Sequence, residues 1–253
     1  MSTYLITGTS RGIGLELVKQ LIDLPSTQVA NVFAVTRSDP SEGLQQLIDK
    51  SEGRIVNVVI DDISKEASVA KGVAELQRHG ANSIDVLVNN AGIMPITPSI
   101  RNMSGDHLRD VLNVNLVSAH VMTLAFFPLL QKGREKKVIN ISTTMGSISM
   151  TRDYSFAPTH AYKIAKAGMN MLNAQWAIEF EKEGSTFLAV SPGWLQTDLG
   201  SQNADLPVST GVESVKQIIL NSTPAQNGKF VIIKVPGWED ADGPNKYHSG
   251  ESP

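Results

Sequence analysis

The stretch TYLITGTSRGIG, residues 3–14, decides the fold class. Its apolar run ends at Gly8, and the next glycines stand just before a segment of helical period, IGLELVKQLIDL. Glycine at a strand–helix junction permits positive φ and close backbone approach, and the helix N-terminus offers free N–H groups to an anion. The loop therefore predicts either a pyrophosphate-binding turn or merely a tight turn, although its G-x-x-x-G-x-G spacing differs from the G-x-G-x-x-G fingerprint. The candidate binding residues are Gly8, Ser10, Arg11, Gly12, Ile13 and Gly14.

Short apolar runs alternate with longer segments of helical period along the rest of the chain. After the first run, the predicted strands lie in VANVFAVTR, RIVNVVIDD, IDVLVNNAG, KKVINIS, STFLAVSPG and GKFVIIK. Repeated strand–helix–strand units with near-continuous apolar strands predict an α/β fold: one doubly wound parallel sheet (Rossmann fold) of about seven strands, with helices on both faces. We assign residues 1–235 to this domain and residues 236–253 to a polar tail, either disordered or partly packed through Trp238 and Tyr247.

The composition excludes several classes of function. The net charge of −3 argues against nucleic acid or an anionic membrane as a partner. The absence of cysteine excludes disulfides, thiolate catalysis and cysteine-ligated metal sites, and the five histidines show no ligand spacing, so no metal site is predicted. We find no apolar run near the roughly 18 residues of a membrane span and no cleavable leader, so we expect a cytoplasmic protein without a membrane anchor.

The end of the second predicted strand indicates which dinucleotide is bound. An acidic residue there usually holds the ribose 2′-hydroxyl of NAD. Here Thr36 and Arg37 occupy that point, and the first acid, Asp39, lies beyond it. The guanidinium fork of Arg37 suits a 2′-phosphate, and Arg11 can reach the same group. Either arginine alone is equally consistent with a surface role, but together they favour NADPH/NADP+ as the cofactor.

The segment HAYKIAK, residues 160–166, places Tyr162 and Lys166 four residues apart. On a helix these positions share a face. A phenol and an ammonium held in this way form either an acid–base pair or an ordinary half-exposed helix surface, and the spacing alone leaves both open.

A series of short motifs in a fixed order resembles the short-chain dehydrogenase/reductase family over nearly the whole chain. The motifs are TGTSRGIG, DIS at 62–64, NNAG at 89–92, NVN at 113–115, NIS at 140–142, Tyr162-x-x-x-Lys166 and SPGWLQT at 191–197. Within the family, the chain is similar to the sniffer and C-factor-like carbonyl reductases and to fungal ketoreductases related to norsolorinic acid reductase.

The resemblance implies catalytic roles. Tyr162 is expected to be the general acid for carbonyl reduction, with Lys166 as its partner. Both are also expected to contact the cofactor, Lys166 at the nicotinamide ribose. A nearby ammonium stabilises a phenolate and lowers the pKa of the phenol, which is ordinarily near 10. Asn115 matches a helix asparagine that holds a relay water. Alternatively, it bonds only to backbone at a helix bend.

The resemblance also implies the cofactor contacts outside the glycine loop. They are Asp62 and Ile63 beside adenine, Asn89, Asn90, Ala91 and Gly92 beside its ribose, and Pro192, Gly193, Leu195 and Thr197 at the carboxamide end of nicotinamide.

The sequence departs from the family pattern at the hydroxyl that orients the substrate carbonyl. The expected serine, three residues before Gly146, is Thr143. Threonine keeps the hydroxyl but adds a methyl group and restricts χ1. We predict Thr143 as the replacement, with Ser142 or Ser147 as the alternatives. The segment TRDYSFAP, residues 151–158, resembles an insertion at the mouth of the active site.

These observations predict an NADPH-dependent carbonyl reductase acting on a ketone or aldehyde. The short substrate loop suggests an open cleft and a bulky substrate, with Met145, Met150, Phe156 and Trp194 as candidate lining residues. The resemblance to fungal ketoreductases implies a substrate of polyketide type. The alternatives are a non-catalytic dinucleotide-binding regulator on the same fold and an enzyme of dehydration or epimerisation. Relatives pair through two long helices, here residues 104–131 and 158–182, so we expect a homodimer or homotetramer. The apolar residues considered for this contact are Phe126, Phe127, Met169, Met171 and Trp176.

Overall fold

The main sheet contains seven parallel strands, as the sequence predicts, and an eighth, antiparallel strand at one edge. The computed structural model describes residues 1–97, 99–241 and 243–251, the last three in their backbone only. The main-sheet strands are β1 Ser2–Thr7, β2 Val29–Thr36, β3 Ile55–Val59, β4 Val86–Asn89, β5 Lys137–Ile141, β6 Thr186–Ser191, β9 Phe230–Lys234 and β10 His248–Glu251. A separate two-stranded ribbon pairs β7 Leu195–Gln196 with β8 Leu206–Pro207.

Helices cover both faces of this sheet. They are α1 Gly12–Ile22, α2 Glu42–Lys50, α3 Glu66–Arg78, α4 Gly105–Leu112, α5 Ser118–Leu130, α6 His160–Glu179 and α7 Val208–Asn221. Residues on α1, α2 and α7 pack with one face of the strands, and residues on α3, α5 and α6 pack with the other. The central strands are buried on both faces, which explains why their sequences are continuously apolar.

The strand order places a topological switch between β1 and β4. The order across the sheet is β10-β9-β6-β5-β4-β1-β2-β3, so the connections after β1 and β4 run in opposite directions. Ligands of open α/β sheets bind in the crevice at the carboxyl ends of such neighbouring strands. The glycine loop follows β1 and the NNAG motif spans the end of β4, so both predicted binding segments lie at this crevice.

The polar tail continues the main sheet. Strand β10 pairs antiparallel with β9 through His248 and Lys234, and the amide of Val235 donates to the carbonyl of Tyr247. Tyr247 is fully buried and packs with the core. The tail is therefore packed along this part of its length, although the division of the chain at residue 235 stays a prediction.

The longest helical segment corrects one expectation from the sequence. Gly105–Leu130 has the length and hydropathy of a membrane span, with a mean hydropathy of 1.4, and half of its most apolar window is buried inside the protein. Met122 and Phe126 are completely buried in the core shared with the central strands. This packing accounts for the apolar character of the segment, and we interpret it as a core helix.

The structure also corrects part of the expected subunit contact. Phe126, Phe127 and Met169 are buried in the core of the same chain and are not available to a partner. The exposed apolar residues on α5 and α6 are Val117 just before α5, Leu124, Ile164, Met171 and Ile178. Among these exposed residues the sequence predicts only Met171, because helical spacing alone does not tell which stripe of a helix faces the sheet.

Candidate active site

Tyr162 and Lys166 lie together on the buried side of the first turns of α6. The Nζ atom of Lys166 is 5.7 Å from the centroid of the Tyr162 ring, and the two residues are 8% and 3% exposed. Lys166 Nζ donates to the carbonyl of Ile141, at 2.6 Å, where β5 ends. This contact fixes the ammonium at the carboxyl edge of the sheet, so the ordinary surface alternative for the Tyr-x-x-x-Lys pair is wrong here.

Gly146 lets the loop after β5 approach α6 closely. A Cβ atom at this position would lie 2.8 Å from the carbonyl carbon of Lys166 and 3.0 Å from the amide nitrogen of Ala167. Any larger residue would push the loop off the helix. The glycine thus holds the segment that carries Thr143 against the helix that carries Tyr162 and Lys166.

Burial changes the pKa values of the pair in opposite directions. It raises the pKa of Tyr162 well above its usual value of about 10, and it lowers the pKa of Lys166 to about 8. The phenol is therefore protonated at neutral pH, the state that a proton donor requires. The lysine stays mostly charged there and can stabilise a phenolate once the proton has left.

The lowered pKa of Lys166 predicts a specific pH dependence of stability. Between pH 8 and about 10.5 the unfolded chain binds more protons at this residue than the folded chain does, so stability rises with pH across that window. We expect Lys166→Met to remove this contribution, so that its free energy of unfolding relative to the parent falls steadily from pH 8 to pH 10.5. Urea unfolding of both proteins across this range measures the difference, and a constant difference would contradict the assignment. The raised pKa of Tyr162 is common to the parent and to Lys166→Met, so it does not account for a pH-dependent difference between their free energies of unfolding.

Asn115 lies inside a π-helical turn, Asn113–Val117, between α4 and α5. Its side-chain amide donates to the carbonyls of Ile93 and Val111 at 2.9 and 3.0 Å, and its Oδ1 accepts the amide of Ile93 at 3.1 Å. Gly92 has no room for a side chain, because its Cβ would lie 2.7 Å from Asn115 Oδ1. All these bonds go to backbone, so the structure shows the helix-bend role of Asn115. Its part in a proton relay stays a prediction.

Thr143 has a hydroxyl that is available for donation. It is half-buried, and its Oγ1 accepts the amide of Met145 at 3.2 Å. Ser142 donates to Asn170 at 2.6 Å, and the hydroxyls of Ser147 and Ser149 are 2.9 Å apart. Within the described part of the chain Thr143 donates to no protein group, which favours it over Ser142 and Ser147 as the hydroxyl that faces a substrate.

The glycine loop has the backbone that the sequence predicts. Gly8 and Gly12 have φ of 72° and 58°, in the region that favours glycine. A Cβ atom on Gly14 would lie 2.3 Å from the carbonyl oxygen of Gly8, so the first turn of α1 touches the end of β1. Ser10 and Ile13 are partly buried in the same loop.

The loops after β1 and β4 are joined by hydrogen bonds at the topological switch. Thr7 Oγ1 accepts the amides of Asn90 and Ala91, each at 3.0 Å, and the side chain of Asn90 donates to the carbonyl of Thr7 at 2.8 Å. Asn89 differs from its neighbours because its side chain points into the interior, where it donates to Asn140 and Thr123 at 2.9 and 3.1 Å. A side-chain contact between Asn89 and a cofactor is therefore not supported by this geometry.

Charged groups surround the adenine end of the crevice. Arg37 is exposed after β2 and has no ion pair among the described residues. Arg11 pairs with Asp198 at 3.3 Å, and both side chains are more than 70% exposed. Hydrogen bonds from Ser64, followed by the contact with Lys65, lower the pKa of Asp62 to about 2, so this carboxylate is an acceptor at neutral pH. Ile63 lies beside it, half-buried.

The PGWLQT turn after β6 lies beside the glycine loop. A Cβ atom on Gly12 would be 3.6 Å from Thr197 Cγ2, so the two loops predicted to bind a dinucleotide are neighbours. Gly193 has a φ of 78°, Pro192 is buried, and Leu195 packs in the core. The same turn contacts Tyr247 from the C-terminal segment, a contact that the sequence analysis missed. The aromatic residues Trp238 and Tyr247 in the polar tail indicated that the tail packs but not which segment it contacts.

Comparison with known proteins agrees with this geometry. Residues 2–206 match the family model for short chain dehydrogenases. This chain belongs to the short-chain dehydrogenase/reductase family. A family member from Arthrinium sp is 33% identical over 207 residues, which cover 78% of this chain and 76% of the relative. The norsolorinic acid ketoreductase of Aspergillus parasiticus is 30% identical over 207 residues, covering 81% and 75%.

Solved structures of carbonyl reductases share this fold. Carbonyl reductase Sniffer of Drosophila melanogaster superimposes with a TM-score of 0.84 at 30% identity, covering 92% of this short-chain dehydrogenase/reductase and 96% of that chain. An NADPH-bound carbonyl reductase from chicken fatty liver gives a TM-score of 0.83 at 27% identity, covering 94% and 99%. The predicted family, subgroup resemblance and fold are thereby confirmed.

Proposed function

We propose that this chain is an NADPH-dependent carbonyl reductase acting on a ketone or an aldehyde. The observation that carries the proposal is the buried Tyr162–Lys166 pair, held at the end of β5 beside Thr143. When bound, NADPH supplies the hydride. The chain supplies the proton from the phenol of Tyr162, the ammonium of Lys166 that stabilises the resulting phenolate, and the hydroxyl of Thr143 that orients the carbonyl oxygen.

The crevice fits a dinucleotide on structural grounds. The glycine loop has positive φ at Gly8 and Gly12. The N-cap of α1, Arg11, makes no side-chain capping hydrogen bond among the described residues, which supports pyrophosphate binding at this helix N-terminus. The guanidinium of Arg37 at the end of β2 forms no ion pair among the described residues and has no acid beside it in the sequence, so it fits a 2′-phosphate. The NADPH-bound relative from chicken supports the same cofactor.

The proposed function is tested by following absorbance at 340 nm with NADPH or NADH and a panel of bulky aryl ketones, aldehydes and diketones. We expect oxidation of NADPH, with little from NADH. Binding of NADPH without turnover on any compound would favour a non-catalytic regulator, and substrate conversion without net oxidation would favour a dehydratase or epimerase. The Thr143→Ser variant, run on the same panel, shows whether the threonine limits turnover.

The cofactor preference predicts the effect of changing Arg37. Loss of one charge-assisted contact to phosphate corresponds to about 1.5–3 kcal/mol. We expect Arg37→Asp to raise the Kd for NADPH at least about tenfold and to lower that for NADH, because the carboxylate accepts from the 2′-hydroxyl. Fluorescence titration with both cofactors measures the change. Arg78→Asp, at the exposed end of α3, is a matched control, and an equal loss in both variants would contradict the assignment.

Subunit assembly and location are proposals of the same kind. The exposed apolar residues Leu124, Met171 and Ile178 support a homodimer or homotetramer formed through α5 and α6. We propose a small-molecule substrate, neither nucleic acid nor membrane as a partner, and a cytoplasmic location. The half-exposed Trp194 and the exposed Phe156 support a bulky substrate, and we propose one of polyketide type.

A further inference from the structure

The C-terminal segment 245–247 contacts three loops that surround the candidate active site. The first is the catalytic loop, residues 142–147, and the second is the insertion that contains Tyr154. The third is the nicotinamide turn with the substrate loop after it, residues 192–206. We call residues 245–247 the strap. Strand β10 anchors the strap to the sheet edge through its pairing with β9.

Tyr247 supports the nicotinamide turn from behind. Its hydroxyl accepts the amide of Trp194 at 3.2 Å and donates to Asp205 Oδ2 at 2.5 Å. Its ring lies against Gly193, where a Cβ atom would come within 2.4 Å of Tyr247 Cε1. Tyr247 is fully buried. Tyr247 thus bonds to both ends of the segment that runs from Trp194 to Asp205, just before β8.

Asn245 contacts the catalytic loop through side-chain hydrogen bonds. Its Oδ1 accepts from Tyr154 at 2.9 Å and lies 3.3 Å from Thr144 Oγ1, while the Thr144 and Tyr154 hydroxyls are 2.5 Å apart. Its amide donates to Asp205 at 3.3 Å, so both strap residues meet at this carboxylate. Thr144 is adjacent to Thr143 and is buried.

We propose that Tyr247 and Asn245 are positioning residues: Tyr247 holds the turn that binds nicotinamide, and Asn245 holds the loop that presents Thr143. The proposal rests on the proposed function of those two loops. It follows from the contacts above, because Tyr247 accepts from the amide of Trp194 in one loop and Asn245 accepts from Thr144, next to Thr143, in the other. Buried polar networks of this kind specify one arrangement when every member is satisfied.

The two strap residues should have separable effects. Tyr247→Phe keeps the ring but leaves the Trp194 amide without its acceptor, and we expect the Kd for NADPH to rise about tenfold, the order set by one lost hydrogen bond to a charged network. Asn245→Ala should lower kcat about fivefold with the Kd for NADPH unchanged. Lys246→Ala is the matched control, because this exposed side chain lies between them and donates only to the carbonyl of Ala241 among the described residues.

A double-mutant cycle tests the Asn245 contact from its other side. Tyr154→Phe removes the hydroxyl that donates to Asn245, so it should lower kcat by a similar factor, and the double variant should be no slower than either single one. Additive losses would overturn the Asn245 part of the proposal. Equal changes in kcat and in the Kd for NADPH in both Tyr247→Phe and Asn245→Ala, in proportion to a lowered Tm, would show a merely structural role and overturn the whole proposal.

Amide hydrogen exchange at Trp194 separates this proposal from the proposed function. This measurement requires neither cofactor nor turnover. Tyr247→Phe should raise the exchange rate of the Trp194 amide, and Lys246→Ala should leave that rate unchanged. If the parent reduces no carbonyl compound but Trp194 exchanges faster in Tyr247→Phe, the proposed function fails and the strap contact stands. If the parent is active and the variant matches it in exchange and in Kd, the strap proposal fails alone.

Discussion

Replacement of Tyr162 by phenylalanine should lower kcat for carbonyl reduction about a thousandfold, within the range that general acid catalysis contributes. Phenylalanine fills the same space but has no proton to give to the developing alkoxide. Because the ring stays in place on α6, the Kd for NADPH should remain within about twofold, since no ring contact is lost. Steady-state kinetics at 340 nm and fluorescence titration measure the two quantities.

Tyr4→Phe provides the control for Tyr162→Phe. Tyr4 is a buried tyrosine in β1, with a pKa that burial also raises, and it lies in the core below the site. We expect removal of the Tyr4 hydroxyl to leave kcat unchanged. A Tyr162→Phe enzyme that kept more than about a tenth of the parental kcat would contradict the role of Tyr162, because the loss would lie below the usual contribution of a general acid.

Alanine at position 14 should have the second large effect. The added methyl group would lie 2.3 Å from the carbonyl oxygen of Gly8 and 2.6 Å from the side-chain nitrogen of Asn90. Backbone has to move to accept it, and overpacking of this kind costs about 1–3 kcal/mol. Because the shift opens the glycine loop, we expect the Kd for NADPH to rise about thirtyfold, which corresponds to about 2 kcal/mol.

Gly43→Ala is the matched control for this change. Gly43 is in the first turn of α2, and its added Cβ would meet only the flexible end of Leu15, at 3.1 Å. We expect parental NADPH binding and an unchanged or slightly higher Tm, since alanine lowers the entropy of the unfolded chain. If Gly14→Ala bound NADPH as the parent does, the glycine loop would not be the pyrophosphate site.

The seven parallel strands and the helices between them were predictable because their causes are local. Each buried parallel strand is a short apolar run, and each run is followed by a segment of helical period. The glycine loop was predictable for the same reason, since Gly8 and Gly12 need backbone angles that other residues avoid. The family resemblance added the positions of Tyr162, Lys166 and Asn115, which the structure places on buried parts of α6 and the π turn.

Other features depend on contacts between distant segments and could not be predicted. The π turn at Asn115 forms together with bonds to Ile93, 22 residues away, and the place of Tyr247 depends on Trp194 and Asp205, 53 and 42 residues away. The spacing from Gly146 favours Thr143, but the local sequence does not show that the neighbouring Ser142 hydroxyl donates to Asn170. The inward side chain of Asn89 likewise follows from its partner on β5.

The most direct test of the central claim uses NADPH in which deuterium replaces both hydrogens at C4 of the nicotinamide, with the best ketone of the panel. If this chain is an NADPH-dependent carbonyl reductase, each molecule of alcohol product carries one deuterium at the carbinol carbon, and Tyr162→Phe forms that product about a thousandfold more slowly. An alcohol without deuterium at that carbon, or conversion of substrate with no loss of NADPH, would contradict the account.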